Sequence, residues 1–97
     1  MNLILNYEGF EKHLVKQREH MLGVQYVFKF DNNYGASVIK HSGSYGHDQD
    51  LWELGVLHFG EDENDWHLTY NTPITADVIG WLTDAEVGDL LQKIKEL

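Results

Sequence analysis

The sequence predicts an α+β fold, a four-stranded antiparallel sheet flanked by an N-terminal and a C-terminal helix, in one domain over residues 1–97. Three features predict it. Residues 24–41 hold two alternating apolar runs around an Asn-Asn-Tyr-Gly turn, residues 7–22 carry apolar positions at helical spacing, and Thr83-Asp84-Ala85-Glu86 matches a helix capping box.

Residues 1–6 fit either the start of a strand or the lead into a helix. From Tyr7 to Leu22, Phe10, Leu14, the aliphatic part of Gln17 and Met21 recur at spacings of four, three and four, which predicts a helix capped by Asn6 and ended by Gly23. Lys12, Lys16 and Arg18 mix with Glu8, Glu11 and Glu19 on its solvated face. In the hairpin, Val24, Tyr26, Phe28 and Phe30 share one face of the first strand, and Val38 and Ile39 favour extended backbone in the second. Asn32, Asn33 and Gly35 tolerate the positive φ that a tight turn requires. Residues 41–50, HSGSYGHDQD, read as a loop of functional length.

Leu51 to Phe59 reads as a third strand, apolar on both faces and therefore central. After a turn over residues 61–64, Trp66 to Tyr70 reads as a fourth strand whose register pairs Phe59 with Trp66, His58 with His67 and Leu57 with Leu68. Asn71-Thr72-Pro73 ends it, because proline has no N–H for the ladder. Thr75 is placed to cap a short turn through Asp77, Val78 and Ile79. The C-terminal helix follows the capping box with an apolar stripe of Val87, Leu90, Leu91, Ile94 and Leu97, and Lys93 and Lys95 suit its C-terminal dipole.

Composition narrows the function classes. A 97-residue chain that is 42% hydrophobic with 12% aromatics supports one packed core. With no cysteine there is no disulfide framework, thiolate nucleophile or cysteine-ligated zinc. No apolar run approaches the roughly 20 residues of a membrane span, and the first residues lack a signal-peptide pattern, so a cytoplasmic protein is expected. Net charge is −9, and its placement is uneven: no Lys or Arg lies between Lys40 and Lys93. Such a surface disfavours direct nucleic-acid binding and favours a basic partner.

The segments YVFKFDNNYGASVIK, SYG, LWELGVL and LTYNTPITADVIGWLT together resemble small uncharacterised proteins encoded by tailed phages and prophages of Gram-positive bacteria, over residues 24 to about 90. The resemblance implies a phage protein acting in the host cytoplasm. It transfers no activity and no catalytic residue.

No enzymatic motif is present, and a non-enzyme is expected: Ser42 and Ser44 lack a nucleophile-elbow context, and Gly35, Gly43 and Gly46 form no phosphate-binding pattern. His58 and His67 supply two cross-strand imidazoles without a third ligand, and His47-Asp48-Gln49-Asp50 lacks the calcium-loop pattern, so no metal or other cofactor is expected. The acidic residues carry the leading expectation. Asp48, Asp50, Glu61, Asp62, Glu63 and Asp65 would bind and inhibit a host defence or nucleic-acid-binding protein with a basic surface, as a mimic of DNA phosphates. The alternative is an oligomeric module that captures a small molecule or signalling nucleotide between Tyr34, Tyr45 and Trp52; association through an exposed strand edge is compatible with either reading.

Overall fold

The computed structural model describes residues 2–75 and 77–97. It is mostly β. Six strands form one antiparallel sheet: β1 (Leu14–His20), β2 (Gly23–Lys29), β3 (Tyr34–Lys40), β4 (Trp52–Phe59), β5 (Trp66–Leu68) and β6 (Ile79–Leu82). Among the described residues one α-helix, α1 (Asp84–Lys95), follows, and short 3-10 turns occupy Glu11–His13 and His47–Gln49.

The four-stranded sheet with two flanking helices is thereby corrected at two places. The expected N-terminal helix over residues 7–22 is absent; its second half is β1, paired to β2 from Leu14↔Phe28 to His20↔Gly23. The stripe read from the sequence does not bury as a unit, since Phe10 is buried while Met21 is 55% exposed. Gly9, at φ +94°, interrupts any helix through this region. The decisive factor is tertiary: β2 is buried along nearly its whole length, and a partner strand satisfies its outer row of backbone groups, as a helix could not. The second correction is β6. Thr75 does form a local cap, its Oγ1 accepting from the Asp77 N–H at 3.0 Å, but Ile79 opens a strand on β4 rather than closing a turn. Ala76 lies outside the described residues.

The remaining elements follow the sequence pattern. β2 and β3 pair through Val24↔Lys40, Tyr26↔Val38 and Phe28↔Ala36, and the register of β4 with β5 is Leu57↔Leu68, His58↔His67, Phe59↔Trp66. β4 is central, with β3 on one side and both short strands β5 and β6 sharing its other side. Thr83 Oγ1 accepts from Glu86 N–H at 3.2 Å and Glu86 Oε1 accepts from Thr83 N–H at 3.0 Å, the reciprocal bonds of a capping box.

One face of the sheet carries the main core: Tyr26, Phe28, Val38, Trp52, Leu54 and Val56 pack under Val87, Leu91 and Ile94 of α1. The N-terminal segment closes the same face, with the Tyr26 hydroxyl donating to Leu3 O at 2.9 Å and accepting from Leu5 N–H at 3.3 Å. The opposite face holds a smaller cluster of Val27, Leu57 and Phe59, flanked by Val15 and Trp66. Among the described residues, no helix is long and apolar enough to cross a membrane.

Candidate functional site

Antiparallel topology sends alternate connections to opposite ends of the sheet. The β2–β3 and β4–β5 turns lie at one end; the β1–β2 turn and the β3–β4 loop lie at the other. The eight residues of β4 separate the two ends by about 27 Å. The six expected acidic contact residues are therefore divided between two ends and do not form one row.

Glu61, Asp62, Glu63 and Asp65 stay together. They are exposed in the β4–β5 turn, where Gly60 N–H donates to Asp65 O at 2.7 Å, Asp65 N–H to Asp62 O at 3.0 Å and Asn64 N–H to Asp62 Oδ1 at 2.9 Å. The turn is fixed by its own backbone, and none of these carboxylates meets a cation among the described residues, where Lys40–Asp50 is the one ion pair. Beside it, the Asn33 carbonyl of the β2–β3 turn accepts from Phe59 N–H at 2.8 Å. Tyr34, His58 and His67 line the sheet at this end, with ring centroids 5.2 Å apart for Tyr34–His58 and 5.7 Å for His58–His67. Among the described residues no three His, Asp or Glu side chains converge as metal ligands would.

Asp48 and Asp50 lie at the loop end. Asp48 is exposed on the 3-10 turn, whereas Asp50 is committed to the fold. Its Oδ1 accepts from Lys40 Nζ at 3.0 Å and from Asn2 N–H at 2.7 Å, contacts that hold its carboxyl below the usual carboxylate range, the Lys40 hydrogen bond first and the Asn2 N–H second. Lys40 is fully buried; its ammonium also donates to Asn2 O at 2.7 Å and lies 4.1 Å from the Trp52 ring centroid. Trp52 is buried beneath it, with Nε1 donating to Asp84 Oδ1 at 2.7 Å. The three aromatic residues expected to wall a ligand site are thus apart: Tyr34 at the acidic end, Trp52 in the core, and Tyr45 exposed at the loop end.

The loop end has features that the sequence reading missed. β1 and β2 join through a two-residue turn, Met21-Leu22, with both φ values positive at 49° and 65°. Such turns ordinarily use Asn-Gly, and a non-glycine residue held there costs on the order of 1 kcal/mol or more. Met21 is 55% exposed and Leu22 92%, so burial offsets little of that strain. Across the same end, Tyr45 and Trp81 stack at 5.5 Å with planes 23° apart, and each is more than half exposed. Trp81 is itself left-handed at φ 56°, and Gly80 is required beside it because a Cβ there would lie 2.5 Å from Tyr45 Cβ. Of the five non-glycine residues with positive φ among the described residues, Met21, Leu22, Asp50 and Trp81 are at this end.

The loop itself is tied by its own polar groups. Ser42 N–H and Oγ both donate to Met21 O at 3.1 Å, His41 N–H donates to Ser44 Oγ at 3.0 Å, and Gly43 N–H donates to His41 Nδ1 at 3.0 Å. His41 is buried with its ring 5.0 Å from that of His20. Burial first, and then the nearby His20 and His47, push its pKa below the usual histidine value, against the opposing pull of Glu53. An open groove of about 460 Å³ runs along this end, lined by Leu3, Glu19, His20, Met21, Leu22 and Gly23. The sequence signal for Met21-Leu22 was hidden by the helical stripe to which Met21 was assigned; that for Trp81 was its position after Gly80 in Ile79-Gly80-Trp81-Leu82.

Comparison with protein-family models, with curated proteins and with solved structures returns no match.

Proposed function

We propose that this chain is a non-catalytic binding protein that docks a basic surface of a host protein through the acidic β4–β5 turn. One observation carries the reading: Glu61, Asp62, Glu63 and Asp65 are presented together on a turn braced by hydrogen bonds, and among the described residues none of them is held in an ion pair, Lys29 at the same end lying instead over the Phe59 ring. Their charge is available to a partner and costs no ordering of the backbone on binding. The arrangement is a compact acidic knob. It favours a cluster of Lys or Arg side chains over an extended phosphate-binding channel, because Asp48 and Asp50 lie about 27 Å away at the far end of β4. The resemblance to phage-encoded proteins makes a bacterial host factor the natural partner, with inhibition the consequence of covering its basic surface.

The test is capture of the partner from host extract by the tagged protein at low and high salt, beside a Glu61→Lys/Glu63→Lys variant. Both substituted residues are exposed and neither makes a hydrogen bond that the turn needs. A salt-labile partner lost in the variant supports the reading, since exposed charge pairs steer association and are screened by salt. Undiminished capture by the doubly reversed turn rules it out.

A further inference from the structure

The loop end carries a second docking surface, independent of the acidic turn, and we infer that Met21, Leu22, Tyr45 and Trp81 form an apolar anchor that inserts into an apolar cleft of a protein partner whose rim is basic.

The four residues share the loop end of the sheet and are linked through the β3–β4 loop. Ser42 binds the Met21 carbonyl, the methyl of Met21 lies against Gly43, and two residues further the Tyr45 carbonyl accepts from Trp81 N–H at 3.4 Å. The loop from His41 to Gly46 therefore bridges the hairpin tip to the stacked aromatic pair. Each of the four is more than half exposed, and three of them are held in left-handed backbone. Burial does not account for this combination. An Asn-Gly tip would relieve the strain, and a small polar side chain in place of Leu22 would lose almost no packing. A tip whose backbone is already fixed, beside a stacked Tyr–Trp pair, lowers the ordering cost of binding, and Tyr and Trp are the side chains that hot spots favour.

The charge around the anchor selects the occupant. Glu19 lines the groove beside Met21 and Leu22, Glu53 accepts from Tyr45 N–H at 3.0 Å, and Asp48 is exposed on the same loop. Of the cations at this end, Lys40 is buried and paired with Asp50, and exposed Arg18, whose Nε donates to the neutral Gln25 Oε1 at 2.6 Å, offsets one of the three carboxylates and leaves the rim net acidic. An apolar centre with an acidic rim complements an apolar cleft with Lys or Arg at its edge. It repels anionic lipid, and it repels a second copy of a chain that carries a net charge of −9.

The experiment places p-benzoyl-phenylalanine at position 22 of the full chain, with the same probe at exposed Asp89 on α1 as a control, and irradiates each in an extract of a Gram-positive bacterium. The expected result is a protein adduct formed at position 22 alone. Its cross-linked peptide, mapped by mass spectrometry, carries apolar residues flanked by Lys or Arg. Excess unlabelled wild-type protein reduces the adduct at least tenfold, and a Met21→Asn/Leu22→Gly protein does not compete. That variant is expected to gain thermal stability, by roughly 4 °C or more, because Asn-Gly suits the turn; Leu22→Ser is a second non-competing variant that leaves Met21 in place. Retained competition by the Glu61→Lys/Glu63→Lys protein separates this surface from the acidic turn. Adducts only with a second copy or with lipid, equal yields at positions 22 and 89, or full competition by the Asn-Gly variant would overturn the inference.

Discussion

Asn32 offers the sharpest test of how the acidic end is built. Its side-chain amide donates to Ile94 O at 3.0 Å and Lys95 O at 3.3 Å in the last turn of α1 and to Leu97 O at 3.2 Å just beyond it, while its Oδ1 accepts from Tyr34 N–H at 2.9 Å. Two amide hydrogens shared among three acceptors amount to about two bonds, together worth roughly 1–3 kcal/mol net. The turn bond to Tyr34 adds about 1 kcal/mol. Asn32→Ala should therefore destabilise the protein by about 2–4 kcal/mol and lower Tm by roughly 10–20 °C for a domain of this length. Asn32→Asp separates the two contributions. It keeps the acceptor for Tyr34 but sets a carboxylate against the negative end of the helix dipole, so it should lose at least the share belonging to the helix. Urea denaturation followed by circular dichroism gives both values, and amide exchange in the last turn of α1 should quicken in each variant. An Asn32→Asp protein as stable as wild type would refute the claim that this side chain caps the helix.

Two further outcomes follow from the loop end. His41 is neutral in the fold, with Nδ1 accepting from Gly43 N–H and a pKa below its unfolded value of about 6.5. The unfolded chain then binds the proton first as pH falls, so stability holds above that value and is lost between it and the lower folded pKa. The slope contributed by this group is at most about 1.4 kcal/mol per pH unit. Denaturation midpoints measured from pH 8 to 5 should fall less steeply for His41→Gln than for wild type, and equal slopes would exclude His41 as the source. Gly80→Ala brings a Cβ within 2.5 Å of Tyr45 Cβ, and should separate the Tyr45–Trp81 stack at a cost of at least the roughly 0.5–1.5 kcal/mol such a pair supplies. Near-ultraviolet circular dichroism reads this directly; an unchanged aromatic signal would show that the stack does not depend on Gly80.

The parts of the fold that were legible were those fixed by local chemistry. The β2–β3 hairpin, the β4–β5 register and the Thr83 capping box each rest on a few residues whose preferences agree with their neighbours'. The misreading of β1 has a definite cause. Phe10, Leu14, Gln17 and Met21 fit helical spacing, but the need of β2 for a partner strand is a property of the whole sheet that no window around residues 14–20 contains. β6 was hidden for the same reason, since its four residues are a strand only because the first half of β4 has an open side after β5 ends. The acidic turn could be read from composition, whereas the separation of Asp48 and Asp50 from it could be read only from topology. The Met21-Leu22 tip could not be found at all while those residues were assigned to a helix.

The two edges of the sheet bear on which surfaces this protein uses. β1 is an outer strand, and Lys16, Arg18 and Glu19 are exposed along it, so a neighbouring strand would have to approach a row of charged side chains. The other edge is broken into β5 and β6, with residues 69–78, including Pro73, between them. Both edges are blunted in ways that oppose strand addition, and the central strands are covered by α1 on one face and by their own smaller cluster on the other. What remains open is the two ends, one acidic and rigid, the other apolar and strained. A backbone conformation that costs energy persists where a stiff surround enforces it, and here the long pairings β1–β2–β3–β4 supply that surround. The sheet thus acts as a spacer that holds two chemically different ends apart.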